Sequence, residues 1–145
     1  MTAQGANAAA LARGVGRLLH DMGYASLTEF RLSSGRRADV AGIDRKDAIF
    51  IVEIKSSLAD YQSDEKWQSY LAHCDRFAFA VGEDFPIDVL PAETGLIVAD
   101  GYGAALVRPP LEAPMKPNLR RQELLSFARQ AAARLGGMLD PRRPG

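Results

Sequence analysis

Apolar side chains recur along the chain with two different spacings, and each spacing predicts one type of element. A helix is predicted over 7–22, where apolar residues recur every three to four positions. The stretches 26–32, 38–44 and 48–55 are β-prone, and only residues 45–47 separate the last two. Connections this short join antiparallel neighbours, so the three stretches predict a meander.

The second half of the chain alternates between helical and extended patterns. A helix is predicted over 58–73 and a strand over 76–82, and a strand reached through a helix runs parallel to the strand before it. The other predicted elements are a connection or short helical turn at 85–91, strands at 94–100 and 104–109, and a helix capped by Asn118 and ended by Gly136. The pattern predicts one α/β domain over residues 1–140, with a mixed central sheet flanked by helices, and a disordered tail over 141–145.

The predicted strand in IFIVEIKSS, residues 49–57, carries two charges on an apolar face. Side chains alternate across a strand, so Glu53 and Lys55 continue the face of Ile49 and Ile51. Burying an uncompensated charge costs several kcal/mol, so the two groups require a partner or a function. One interpretation is an ordinary ion pair between them at the end of the strand.

A second acidic residue, Asp39, suggests a chemical function for Glu53 and Lys55. If 40–44 pairs with 48–52 around the reversal at 45–47, Asp39 lies opposite or diagonal to Glu53, and such neighbours are about 5 Å apart. Two carboxylates and the backbone carbonyl of Ile54 are ligands that suit Mg²⁺ or Mn²⁺. Lys55, on the same face, is positioned to orient water or to neutralise charge developing on a phosphate. The residues therefore indicate metal-dependent phosphodiester cleavage, with Asp39, Glu53 and Lys55 as the catalytic set.

This arrangement resembles the PD-(D/E)XK nuclease superfamily, which has an acid, a variable gap, and then acid-x-Lys on adjacent strands. Here the motif reads Asp39 and Glu53-Ile54-Lys55, with Ala38 where a proline often precedes the first acid. The longer stretches GRRADVAGI and VEIKSSLADYQSDEKWQSYLAHCDRFAFAV are similar to the MmcB family of bacterial DNA-repair proteins, a branch of that superfamily. The resemblance spans roughly residues 8–108.

The resemblance implies a restriction-endonuclease-like three-layer core and a Mg²⁺-dependent (or Mn²⁺-dependent) DNA nuclease acting in repair. It also implies a homodimer, because one such domain acts on one strand of a duplex. The alternative is a catalytically inactive DNA-binding or scaffold module with the same fold. A third reading, a structural domain with no nucleic-acid role, would show no salt-dependent binding to DNA.

Several polar residues near the motif are candidates for the same site. Glu29 is a candidate third acid, although its position also fits an exposed strand residue. Arg36 and Arg37, in a loop just before Asp39, are placed to contact a DNA phosphate or to lie in an exposed turn. The resemblance extends the DNA-binding set to the predicted helix at 58–73, where Lys66 and Gln68 would contact substrate; a solvated helix face is the alternative.

Composition narrows the class of protein. The 145 residues carry no net charge, although residues 101–145 hold eight Lys or Arg against three Asp or Glu. A strongly basic nucleic-acid binder is not indicated, but a local basic surface is. The single cysteine, Cys74, excludes an internal disulfide and a cysteine-based zinc site. No signal peptide, membrane span or glycine-rich phosphate loop is evident, so we expect a cytoplasmic protein without membrane contact or an organic cofactor.

Overall fold

The computed structural model describes residues 3–64 and 66–142 of the chain. Within these residues, three α-helices, two short 3₁₀ helices and seven strands follow one another. Their order is α1 (Ala3–Asp21), β1 (Ala25–Arg31), β2 (Arg37–Ile43), β3 (Ile49–Lys55), α2 (Leu58–Gln62), a 3₁₀ helix (Trp67–His73), β4 (Arg76–Val81), a second 3₁₀ helix (Ile87–Val89), β5 (Gly95–Ala99), β6 (Ala104–Arg108), β7 (Leu111–Glu112) and α3 (Pro117–Leu139).

The strands form one mixed sheet. Its order is β1-β2-β3-β4-β5-β6, and β7 pairs with the start of β4. The first three strands are the predicted antiparallel meander, β3, β4 and β5 are mutually parallel, and β6 returns antiparallel to β5. The predicted α/β fold with a mixed sheet flanked by helices is therefore confirmed.

Strand β3 lies at the centre of the core, and every one of its residues is buried. Its two faces contribute to different apolar clusters, as the alternation predicts. Ile49 and Ile51 pack with aromatic residues of β4 and with the 3₁₀ helix and α3, whereas Phe50 and Val52 pack beneath α1. The sheet thus lies between α1 on one side and the 3₁₀ helix with α3 on the other. Within the described ranges, no helix has the length and hydropathy needed to cross a membrane.

The predicted helix over 58–73 is wrong, because the chain breaks it in the middle. Ser57 caps α2 by accepting the amide of Asp60 at 3.1 Å, but α2 ends at Gln62. Asp64 then accepts the amide of Lys66 at 2.9 Å, a local turn that competes with helical hydrogen bonding. The chain resumes as a 3₁₀ helix at Trp67.

The bounds of both long helices, α1 and α3, also differ from the prediction. Helix α1 begins by Ala3, before residue 7. Helix α3 begins with Pro117, a residue suited to the first helical position because its missing amide needs no partner, and so Asn118 is not the cap. It continues through Gly136 to Leu139. The two-residue strand β7 was not predicted. After α3, residues 141–142 form a turn, and residues 143–145 of the predicted tail lie outside the described residues.

Helix α3 covers the outer edge of the sheet at β1. The side-chain amide of Gln130 accepts the backbone N–H of Arg31 at 3.0 Å and donates to its carbonyl at 2.8 Å. Arg134 donates to the carbonyls of Thr28 and Glu29 at 2.6 and 2.8 Å. Backbone groups that an edge strand would leave unpaired are therefore satisfied by side chains of α3.

Helix α1 packs closely on the turn between β5 and β6, and one glycine allows that approach. A Cβ on Gly14 would lie 2.1 Å from the carbonyl oxygen of Asp100 and 2.5 Å from that of Gly103. A Cβ on Gly16, half a turn away, would meet no atom within 4 Å.

We expect Gly14→Ala to destabilise the fold by about 1–3 kcal/mol, because two backbone carbonyls must move to admit the methyl group. Gly16→Ala is the matched control, and it should stabilise the helix by about 0.5–1 kcal/mol. Urea denaturation of both variants measures the difference. Equal stability of the two variants would show that α1 does not contact the turn as described.

Candidate active site

The hydrogen-bond ladder between β2 and β3 ends where the motif acids begin. Val40 pairs with Val52, so Asp39 and Glu53 occupy the next position of the same register. There, side chains replace the ladder. Glu53 Oε1 accepts the amide of Asp39 at 3.0 Å, and Asp39 Oδ2 accepts the amide of Ile54 at 2.8 Å. The predicted pairing around 45–47 is confirmed, and it brings the two carboxylates together between the strands.

Glu29 occupies the equivalent register position on β1, but its carboxylate does not contact Asp39 or Glu53. Thr28 pairs with Val40 and Phe30 with Ala38, which places Glu29 opposite Asp39. Its backbone is left-handed, with φ of 53°, an uncommon conformation for a residue with a side chain. The exposed Glu29 carboxylate instead contacts Arg37 Nη1 at 3.3 Å. In the described ranges, no three acid, histidine or cysteine side chains converge on one metal position.

A cavity of about 770 Å³ opens beside the two acids. Small side chains of α1 form its opposite wall, which leaves space above the carboxylates. The lining residues are Ala8, Ala9, Ala12, Arg13, Thr28, Glu29, Arg37, Asp39, Glu53, Ile54, Lys55, Asp60 and Tyr70.

Lys55 is buried at the same end of β3 and has a partner that the sequence did not reveal. Its ammonium lies 2.7 Å from Asp64 Oδ2, and the exposed fractions of the two side chains are only 7% and 16%. No ion pair within 4 Å joins Lys55 to Glu53 in the described part of the chain, so the simple Glu53–Lys55 interpretation is wrong. Nothing in the spacing of Asp64 indicated this contact, because it depends on the break after α2.

Electrostatics at the acid pair favour binding of a cation or a proton. Burial, together with the charge of Asp39, raises the pKa of Glu53 to about 8, although the Asp39 amide and Lys55 oppose the shift. Burial also raises the pKa of Asp39, against the Ile54 amide and Lys55. Burial acts to raise the pKa of Asp64 too, but the hydrogen bond from Lys55 and the Lys66 amide lower it overall. Asp64 is thus the ionised partner of Lys55.

The predicted DNA-contacting residues lie in different surroundings. Arg37 is exposed and lines the cavity, whereas the guanidinium of Arg36 lies over the Tyr70 ring at 5.8 Å. Lys66 and Gln68 are exposed and do not line the cavity.

Tyr70 links the cavity to the core. Its hydroxyl donates to the Arg37 carbonyl at 3.0 Å, and its ring stacks on Phe77, as does that of Trp67. Burial and the charge of Glu53 raise the pKa of Tyr70 to about 12, so its hydroxyl stays protonated. Trp67 and Tyr70 are thus both buried in the core, and Tyr70 also forms part of the cavity wall.

The model of a protein family described as "DNA repair protein MmcB-like" matches residues 2–142 of the chain. The chain belongs to this MmcB-like family. Among solved structures, the SPO1766 protein of unknown function from Silicibacter pomeroyi is similar, with 46% sequence identity and a TM-score of 0.89. The similarity covers 93% of this chain and 92% of that chain. No curated protein matches the chain.

The donor set of this MmcB-like chain fits a hard divalent cation. Asp39 and Glu53 place two carboxyl groups side by side, the type of ligand that hard divalent cations take, and burial raises the pKa of both. With two carboxylates, water would complete the coordination, as is usual for Mg²⁺.

The raised pKa of Glu53 predicts a pH-dependent stability. Between about 4.5 and 8 the folded protein retains a proton that the unfolded chain has lost, so its stability falls as pH rises through this window. One such proton corresponds to about 1.4 kcal/mol per pH unit.

We expect Glu53→Gln to flatten this dependence, because the amide cannot ionise, and to be more stable than the wild type at pH 8. Glu93→Gln, at an exposed position outside the cavity, is the control and should keep the wild-type slope. Urea titrations from pH 5 to pH 9 measure the slopes. Parallel slopes for the wild type and Glu53→Gln would contradict the assignment of a raised pKa to Glu53.

Proposed function

We propose that this protein is a Mg²⁺-dependent or Mn²⁺-dependent deoxyribonuclease that hydrolyses phosphodiester bonds, within the DNA-repair role that its family indicates. The observation that carries the proposal is the pair of adjacent carboxylates, half-buried Asp39 and buried Glu53, next to the buried ammonium of Lys55. Such a set combines cation binding with a fixed positive charge. The motif resemblance to PD-(D/E)XK nucleases supports the same chemistry.

Asp39, Glu53 and the backbone carbonyl of Ile54 would hold the ion. When bound, it would supply activation of water and charge neutralisation at a phosphate oxygen. Asp39 and Glu53 are held in place by the amides of the facing strands, so little reorganisation is needed for binding. Glu29 would serve as a third acid only after leaving Arg37.

Lys55 would orient the attacking water and stabilise the charge that develops on the phosphate. Asp64 contacts the ammonium at 2.7 Å and so holds it in place at a buried position. We therefore include Asp64 in the site as a positioning residue for Lys55.

DNA would enter along the rim of the cavity. Arg37 lines it and can contact a phosphate, whereas Arg36 would need to leave the Tyr70 ring to do so. Lys66 and Gln68, outside the cavity, would contact DNA further from the bond that is cut. One site acts on one strand, so cleavage of both strands of a duplex would require a homodimer.

A second candidate function is a DNA-binding or scaffold module that does not cleave. One observation favours it: the Lys55 ammonium is already paired with Asp64, an arrangement that also satisfies a buried charge without any reaction. Both functions require DNA binding, so turnover separates them.

We expect wild-type protein with Mg²⁺ or Mn²⁺ to cleave branched, nicked or single-stranded DNA, and Lys55→Ala to lower the rate by about 10²–10³-fold, since it removes a preorganised charge. Asp39→Asn should lower it similarly and weaken metal binding. Lys46→Ala, an exposed lysine in the reversal at the opposite end of β3, is the matched control and should retain activity. Gel assays of labelled oligonucleotides measure cleavage.

Thermal melting checks that each variant is folded. DNA binding by all variants with no cleavage by the wild type under any metal would establish the non-cleaving module instead.

A further inference from the structure

Helix α1 carries a basic stripe that the proposed chemistry does not use. We define the stripe as Arg13, Arg17 and His20, which lie four and three positions apart and so project from one side of the helix. All three are exposed. Three other arginines, Arg37, Arg76 and Arg120, each contact a carboxylate.

By contrast, no carboxylate of the described residues lies within 4 Å of the Arg13 or Arg17 guanidinium. Exposed arginines free of ion pairs are available to bind an anion.

The stripe borders a second cavity, of about 720 Å³, that adjoins the acid cavity. Arg13 lines both cavities, so the two meet at this residue. The second cavity is lined by the whole stripe and by the turn between β5 and β6, including Tyr102. Asp21 is the acidic side chain in that lining. A negatively charged polymer that reached Asp39 and Glu53 through this cavity would first pass the basic stripe.

Tyr102 provides the second, independent observation. Its side chain is 84% exposed, so both faces of the ring are accessible to a ligand. The turn that holds it is fixed: Asp100 Oδ1 accepts the amides of Tyr102 and Gly103 at 2.8 and 2.9 Å. Arg17 Nη1 donates to the Tyr102 carbonyl at 3.0 Å, which connects the turn to the stripe. The ring therefore projects from a hydrogen-bonded turn beside two arginines that have no carboxylate partner among the described residues.

We propose that the stripe and Tyr102 form a binding track for single-stranded DNA leading to the acid cavity. Grooves that bind single strands combine cations that follow the phosphates with aromatic rings on which bases stack. An exposed ring can stack on an unpaired base, whereas the bases of a duplex are already stacked on each other, so this geometry favours a single strand. That the track leads to the acid cavity rests on the proposed function. Binding of a single strand to the track, however, requires neither a metal ion nor cleavage.

The test is fluorescence anisotropy with a labelled oligodeoxythymidylate in EDTA, where no cleavage takes place. We expect Tyr102→Ala to weaken binding by about five- to hundredfold, through loss of one stacked base, while Tyr102→Phe retains the wild-type affinity. The double variant Arg13→Ala, Arg17→Ala should reduce the slope of log K against log salt by about 1.4, which is the value for two phosphate contacts on a single strand.

Arg45→Ala is the matched control, because Arg45 is an exposed arginine in the reversal at 45–47, away from both cavities. It should leave affinity and salt slope unchanged. Equal losses for Arg45→Ala and the stripe variants would overturn the track, as would tighter binding of a matched duplex with no effect of Tyr102→Ala.

The outcomes separate the two proposals. Oligonucleotide binding that depends on Tyr102, together with no cleavage under any metal, would refute only the nuclease. Cleavage combined with binding that is indifferent to the stripe and Tyr102 would refute only the track.

Discussion

Two carboxylates replace the hydrogen-bond ladder where strands β2 and β3 separate. Glu53 accepts the amide of Asp39, and Asp39 accepts the amide of Ile54, so each acid is held by the backbone of the neighbouring strand. This exchange satisfies backbone donors that would otherwise be buried without partners. It also places two negative charges in contact, which the fold tolerates only because protons, amides or the nearby Lys55 reduce the repulsion. The cavity, the perturbed acids and the proposed cation site all derive from this one arrangement.

The sequence allowed the central part of the site to be predicted because the relevant constraints are local. A three-residue reversal and the two-residue period of strands determine that Asp39 faces Glu53. The partner of Lys55 could not be predicted in this way. Asp64 reaches it because the helix over 58–73 breaks, and the contact joins residues that share no periodic relation. The N-terminus of α3 was misassigned for a simpler reason: Asn118 is a good cap, but the preceding proline already occupies the first turn.

The distribution of charge in space is more informative than its total. The chain is neutral overall, which argues against a general nucleic-acid binder. In the folded protein, however, acidic and basic side chains occupy different positions around the cavity. Glu53 is buried and Asp39 half-buried at the base of the cavity, whereas Arg13 and Arg37 are exposed and line the same cavity. The exposed Tyr102 lies on a turn next to α1, a position that no periodicity in the sequence would indicate.

Helix α3 also limits how two copies of the chain can associate. With Gln130 and Arg134 occupying backbone groups of β1, a second molecule cannot extend the sheet at that border. The opposite border is β6, which is three strands away from Glu53 on β3 and four from Asp39 on β2. Neighbouring strands are about 4.8 Å apart, so molecules joined through β6 would keep their two acid cavities well apart. The two pairs of carboxylates could not then share one ligand group.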